Sequence, residues 1–340
     1  MLTVMPRVET PPCKAPVFVG VDIGGTKCAI VLGTADGRVL HKESFPTETT
    51  KGPAQTLERI MATVAAMIVR PEVDRTALVF GVSCGGPLDS RRGVILSPPN
   101  LPGWDNVPII SLLIGRFGGR AFLMNDANAG ALAEWTWGAA RGTRDAIFLT
   151  FGTGLGAGLI INGRLHAGAD DLAGEAGHVR LAEDGPVGFG KAGSFEGFCS
   201  GGGILRLAHA RIREAWSKGH TVTFCADEVA LESLELRTVA DAARRGDPLA
   251  GDVFATSSFY LGRGLSLLVD LLNPEVIVIG SVYARCEDLL RPGALRELER
   301  EALPAAVRRC RVVPAALGES IGDLAALAVA RAGADGNLSS

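Results

Sequence analysis

Asp22-Ile23-Gly24-Gly25-Thr26-Lys27 sets a carboxylate, two glycines, a hydroxyl and an ammonium side by side. Glycines let backbone N–H groups face an anion, and Thr26 and Lys27 add a donor and a charge, so the run is suited to gripping phosphate. Asp22 supplies a hard oxygen of the kind that holds magnesium, often through water. An ordinary hairpin turn has the same makeup. A second run, Gly152-Thr153-Gly154-Leu155-Gly156-Ala157, fits the dinucleotide fingerprint GxGxxA, which needs a helix directly after it. Gly158-Leu159-Ile160-Ile161-Asn162-Gly163 follows instead and reads as a strand and a turn, which leaves a second phosphate-facing hairpin. Gly81-Val82-Ser83-Cys84-Gly85 fits the serine nucleophile elbow and would make Ser83 the nucleophile of a hydrolase. The elbow too needs a following helix, and Pro87 with Arg91-Arg92-Gly93 denies it one. A glycine-rich turn lining a pocket is the plainer reading.

Asn125-Asp126 closes a strand and opens a helix. Both are common N-caps whatever the function. Asp126 could equally take a proton from a substrate hydroxyl at the mouth of a cleft. Gly174-Glu175-Ala176-Gly177-His178 spaces a carboxylate and an imidazole three apart, on one face if the segment is helical. Glu196 stands between Phe195 and Phe198 and needs a partner among such neighbours. With Asn100, these are polar groups of the sort that ring a sugar's hydroxyls.

The elements that must hold these groups follow from patterning. Strands are predicted at Val17–Ile23, 28–32, 39–45, 77–82, 121–124, 146–151, 157–161, Val276–Ile279 and 311–315. Helices are predicted at 57–68, Ile109–Phe117, 126–137, 204–216, 249–272, 287–302 and 321–331. Strand, glycine turn and strand occur twice, at 17–32 and 146–161, a weak internal repeat that suggests two related α/β domains facing one another. The hinge is placed at 128–144.

Composition narrows the classes. Thirty-four basic residues against thirty-seven acidic ones, net charge -3, make no electrostatic case for nucleic acid or an anionic membrane. The longest uncharged stretch, 146–163, carries five glycines and reads as turns rather than a membrane span. Residues 1–16 hold four prolines and read as a disordered tail. Seven scattered cysteines without a CxxC pair suit the cytoplasm and argue against a disulfide framework or a cysteine-rich metal site.

In their order, segments 19–27, 81–87, 97–104, 125–138, 151–163, 173–181 and 261–280 resemble the ROK family of sugar kinases and repressors. The resemblance covers nearly the whole chain, from about residue 17 to the last helix. It implies a two-domain actin-like ATPase (ribonuclease H-like) fold with an interdomain cleft. The domains would be 17–128, joined by the last helix at about 321–333, and 129–320. It further implies ATP held by Gly24, Gly25, Thr26, Lys27, Gly152, Thr153 and Gly154, with Gly280 and 318–322 near the adenosine and Asp22 at a magnesium ion. A hexose or amino-hexose would lie among Gly86, Asn100, Asn125, Asp126, Glu175, His178 and Glu196. Asp126 matches the family's catalytic base, acting usually on the 6-hydroxyl. A homodimer is implied as well. A non-catalytic sugar sensor of the same fold is the alternative. The sixteen residues before the first strand are too few for a repressor's helix-turn-helix.

Three departures from the family pattern stand out. Most members bind zinc through the histidine of Gly-Glu-x-Gly-His and a CxCGxxGC run. That run here reads Val187-Gly188-Phe189-Gly190-Lys191-Ala192-Gly193-Ser194, without a thiolate. One imidazole does not make a tetrahedral site, so zinc is not expected, and Val187, Phe189, Phe195 and Phe198 are expected to pack the loop. Gly280-Ser281-Val282-Tyr283 is bulkier than the family's glycine run, and Glu319 and Asp323 put two acids at the last helix.

Overall fold

The computed structural model describes residues 16–338, so the expected tail lies, Pro16 excepted, outside the described residues. β1 (Val17–Ile23) turns through Gly24-Gly25-Thr26 into β2 (Lys27–Thr34), and β3 (Val39–Pro46) continues the meander. Small and β-branched residues fill β1 and β2, while β3 carries His41, Lys42 and Glu43 at the sheet's edge. α1 (Pro53–Ile68) opens on a proline, which loses no hydrogen bond in a first turn, and lays Ile60, Met61, Val64 and Met67 against the sheet. Next come β4 (Val79–Cys84) and a short hairpin of β5 (Leu88–Asp89) and β6 (Val94–Ile95). α2 (Ile109–Phe117), β7 (Arg120–Asn125) and α3 (Asp126–Trp137) complete this half. The sheet order is β3-β2-β1-β4-β7, antiparallel through the meander and parallel from β1 onward.

The second half repeats the plan. β8 (Ala146–Phe151), β9 (Leu155–Ile161) and β10 (Arg164–Leu165) form a meander, followed by a hairpin of β11 (Val187–Gly188) and β12 (Lys191–Ala192). Helices α4 (Phe195–Cys199), α5 (Gly201–Ser217), α6 (Glu228–Glu232), α7 (Leu236–Arg244) and α8 (Pro248–Leu272) lead to β13 (Val276–Ile279). α9 (Val282–Arg285), α10 (Glu287–Glu301), α11 (Pro304–Arg309), β14 (Arg311–Pro314) and α12 (Ile321–Ala334) end the chain. This sheet runs β10-β9-β8-β13-β14, again antiparallel and then parallel. The repeat read from glycine spacing is thus a repeat of topology.

One core joins the sheets. The alanine-rich helices α3 and α12 bury Leu132, Leu327 and Val329 among Phe18, Val31, Phe148, Ile160 and Val278, which come from both sheets. Their small residues permit close approach: a Cβ on Gly81 of β4 would fall 2.1 Å from the Ala326 carbonyl oxygen of α12. Glu134, fully buried in α3, accepts from the backbone N–H groups of Ala139 (2.7 Å) and Leu317 (3.0 Å), tying the approach to α12 to the end of α3.

Two expectations need correction. Val187 and Phe189 do not pack the loop: they are 48% and 67% exposed, because β11 and β12 form an outward hairpin with Phe189 at its tip. Phe195 and Phe198 are buried as expected. α5 begins at Gly201, three residues before its first apolar side chain, and the five helices α4, α6, α7, α9 and α11 are additional to those predicted. Among the described residues no helix is long and apolar enough to cross a membrane.

Candidate functional site

The carboxyl ends of β1, β4 and β7 lie side by side, pairing Asp22 with Ser83 and Cys84 with Asn125. This is where open α/β sheets present ligand-binding groups. Asn125 caps α3 by accepting from the Asn128 N–H at 2.7 Å. Asp126 is the first helical residue and accepts from the Ala127 N–H at 2.9 Å. The pair is therefore a cap, and the cap sets a carboxylate at the sheet's end. Asp126 is open to solvent on one side, yet protein mass crowds it at longer range. That burial pushes its carboxyl above the ordinary 3.8, against the opposing pull of the backbone N–H groups of Ala127 and Asp126.

Asp22 is half-buried, and its pKa is raised to about 7. Burial is the main cause, followed by the negative charges of Asp323 and Asp126, while Lys27 and a hydrogen bond from Ser83 pull the other way. Gly322 of α12 closes on it, with a Cβ there only 2.9 Å from Oδ2. Ser83, 2% exposed and hydrogen-bonded to Asp22, is not presented as a nucleophile, and β4 runs on into the β5–β6 hairpin rather than a helix.

The first glycine hairpin is braced by Thr47, whose Oγ1 donates to the Gly24 carbonyl at 2.6 Å and whose N–H donates to the Thr26 carbonyl at 3.0 Å. Thr26 and Lys27 are exposed at its tip. Asn100 spans this hairpin and the end of β4, since a Cβ on Gly25 would lie 2.9 Å from its Cβ and one on Gly85 would lie 3.2 Å from its Oδ1. Gly86 is exposed beside it, with open space where a side chain would stand.

The second glycine hairpin is braced from the other half. Glu196 Oε2 accepts from the Leu155 N–H at 3.0 Å, the partner its apolar setting demanded. The Gly201 N–H donates to the Gly152 carbonyl at 2.7 Å, so α5, capped by Ser200, starts against the hairpin. Gly280 is buried at the end of β13, where its N–H donates to the Leu149 carbonyl at 3.0 Å. Glu175 precedes and His178 ends a single 3₁₀ turn, Ala176–His178, which packs Gly177 onto the Leu155 carbonyl and Glu196 Cβ. The halves meet where Gly156 of β9 lies against Ala127, the residue after Asp126.

The sequence singles out 318–322 and Asp323 but not their place beside Asp22, and it misses Ser200-Gly201-Gly202-Gly203 beside Gly152. A serine directly before a glycine run was a usable N-cap signal for the latter. The described residues contain no group of three or more His, Cys, Asp or Glu side chains that could hold a metal ion. The zinc-run positions offer a valine, a phenylalanine and a serine, and these do not fit zinc. The Asp22 carboxylate, with the charges of Asp323 and Asp126 near it, does fit magnesium, which is commonly held by one or two carboxylates together with substrate phosphates.

The ROK family model matches residues 18–332. The chain belongs to the ROK family. Over 314 residues it is 32% identical to a glucokinase of Thermotoga maritima, covering 92% of this chain and 96% of that one. The ROK hexokinase of Thermus thermophilus superposes with a TM-score of 0.76 at 30% identity, over 94% of this chain and 99% of that structure. A ROK glucokinase of Streptomyces griseus, solved in complex with glucose and AMPPNP, gives 0.73 at 30% identity, over 93% and 99%. The paired sheets described above are the halves of the actin-like ATPase fold these ROK kinases share.

Proposed function

We propose that this chain transfers the γ-phosphoryl group of ATP to the 6-hydroxyl of a hexose or amino-hexose, with Asp126 as general base. That it is an ATP-dependent sugar kinase rests on its kinship, over nearly its whole length, with a glucokinase and with solved ROK kinases. The finer reading is carried by Asp126: a carboxylate with a raised pKa, fixed by a helix start where the two halves meet. A base of raised pKa holds a proton more strongly, which suits it to draw one from an alcohol as the hydroxyl oxygen attacks.

In this reading 17–128 with the last helix, about 321–333, form one domain, and 129–320 form the other. Asn100, Asn125, Glu175, His178 and Glu196 orient the sugar, with Gly86 leaving room beside them. The hairpin tips at Gly24–Lys27 and Gly152–Gly154 bind phosphate oxygens through backbone N–H groups other than those of Gly24 and Gly152, which close the turns on the Lys27 and Gly154 carbonyls, and exposed Thr26, Lys27 and Thr153 add side-chain donors. Asp22 would hold magnesium, which supplies charge neutralisation on the phosphates when bound. Catalysis is then mostly positioning, with closure of the cleft excluding water.

The test is coupled ADP release with Mg-ATP across a panel of hexoses and amino-hexoses. Saturable turnover is expected on one sugar or a few. Asp126→Ala lowers kcat by roughly 10²–10⁴-fold while calorimetric sugar affinity stays within a few-fold. Undiminished turnover in that variant would remove Asp126 from the base role. Sugar binding by the parent without turnover would make it the sensor.

A further inference from the structure

The β11–β12 hairpin turns on Phe189 and Gly190, both with positive φ, 43° and 75°. A two-residue turn of this kind calls for Asn-Gly or Gly-Gly, and a bulky side chain in the left-handed region is a true outlier. Phe189 is also 67% exposed, so neither local backbone preference nor burial accounts for it. Strain of this sort clusters where a side chain has a task. The ring meets His178 edge-on, with centroids 5.1 Å apart and planes at 86°.

Two residues on, Lys191 Nζ donates to the His178 carbonyl at 2.7 Å. The hairpin therefore grips this residue twice, at its ring and at its main chain. Its base is fixed by the N–H groups of Leu181 and Ala182 on the Gly193 carbonyl, at 2.8 and 3.1 Å, and by the Phe195 N–H on the Val179 carbonyl at 2.8 Å. Ser194, the last residue of the segment, caps the helix that carries Glu196. Among the described residues neither ring nitrogen of His178 has a protein hydrogen-bond partner, so both remain available to a ligand while an apolar contact sets the ring's direction.

We infer that Phe189 and Lys191 are positioning residues for His178. They do mechanically what a bound metal does where three thiolates surround that histidine, and Phe189 stands at the second thiolate position. The inference rests on the sugar-kinase reading, in which His178 meets the sugar. Lys191 holds the loop at the right height, and Phe189 fixes the imidazole plane against a hydroxyl.

The test exploits the strain. Phe189→Gly and Phe189→Asn suit the turn better, so the thermal midpoint holds or rises. The sugar KM should nevertheless rise about tenfold, the scale seen when a residue orienting a ligand group is lost, with kcat and the Mg-ATP KM unchanged. Lys191→Met should raise the sugar KM likewise, and Lys191→Arg should restore it. In NMR spectra the His178 ring protons should lose the ring-current displacement given by Phe189 in both Phe189 variants. A folded Phe189→Gly enzyme with an unaltered sugar KM would overturn the inference while leaving the kinase intact. A parent chain that neither binds nor phosphorylates any hexose would overturn the kinase reading itself, and the inference with it.

Discussion

Asp22 shows how much chemistry a single carboxyl gains from its place. In the unfolded chain it ionises near 3.8, and in the folded one at about 7, so between these values the folded state binds the extra proton. Its contribution to stability is complete below the unfolded value and is lost as pH rises through about 7, by an amount on the order of a few kcal/mol. Asp22→Asn has no charge to bury. Without nucleotide or metal, its melting temperature should match the parent's near pH 4 and exceed it by a growing margin up to pH 8. Equal pH profiles for the two proteins would contradict the burial of this charge. Ser83 assists the charged form of Asp22. Ser83→Ala should therefore raise the Asp22 pKa further and shift that pH transition upward, read from the same melts.

The elements show which features can be read from a sequence and which cannot. Gly81→Ala adds one methyl group 2.1 Å from a backbone oxygen of α12, which has no rotamer by which to yield. It should cost about 3 kcal/mol or more in urea unfolding, since overpacking against backbone is not relieved by repacking. The two glycine hairpins, Asn125 as a cap and the run of buried strands were legible because local residue types determine them. α5 was read short because Gly201, Gly202 and Gly203 look like a loop. They form the first turn of a helix capped by Ser200, and Gly203 is a glycine because a side chain there would fall 2.2 Å from the Gly197 carbonyl oxygen, a tertiary fact no local pattern carries. Phe189 was misread for a related reason: its apolar character suggested packing, whereas the hairpin beneath it decides that it points outward. That Gly322 and Asp323 stand beside Asp22 is not legible in the sequence, since three hundred residues separate them from it.

At the scale of the whole molecule, α3 and α12 make the connection between the sheets. Glu134→Ala leaves the N–H groups of Ala139 and Leu317 without their acceptor and opens a buried space. Unfolding free energy should fall by about 2–5 kcal/mol, measured with urea. Under the proposed division into 17–128 and 129–320, sugar binding should also shrink the radius of gyration in solution scattering. An unchanged profile with saturating sugar would argue against closure. A rotation of one body against another has an axis, and points near that axis barely travel. α3 lies in the core that both sheets share, so an axis through that core would pass near it. Asp126, at the start of that helix, would then travel little through the proposed closure. Under the proposed function the base would then keep its place, and closure would bring Glu175, His178 and Glu196, together with the phosphoryl group, to a sugar already held beside it.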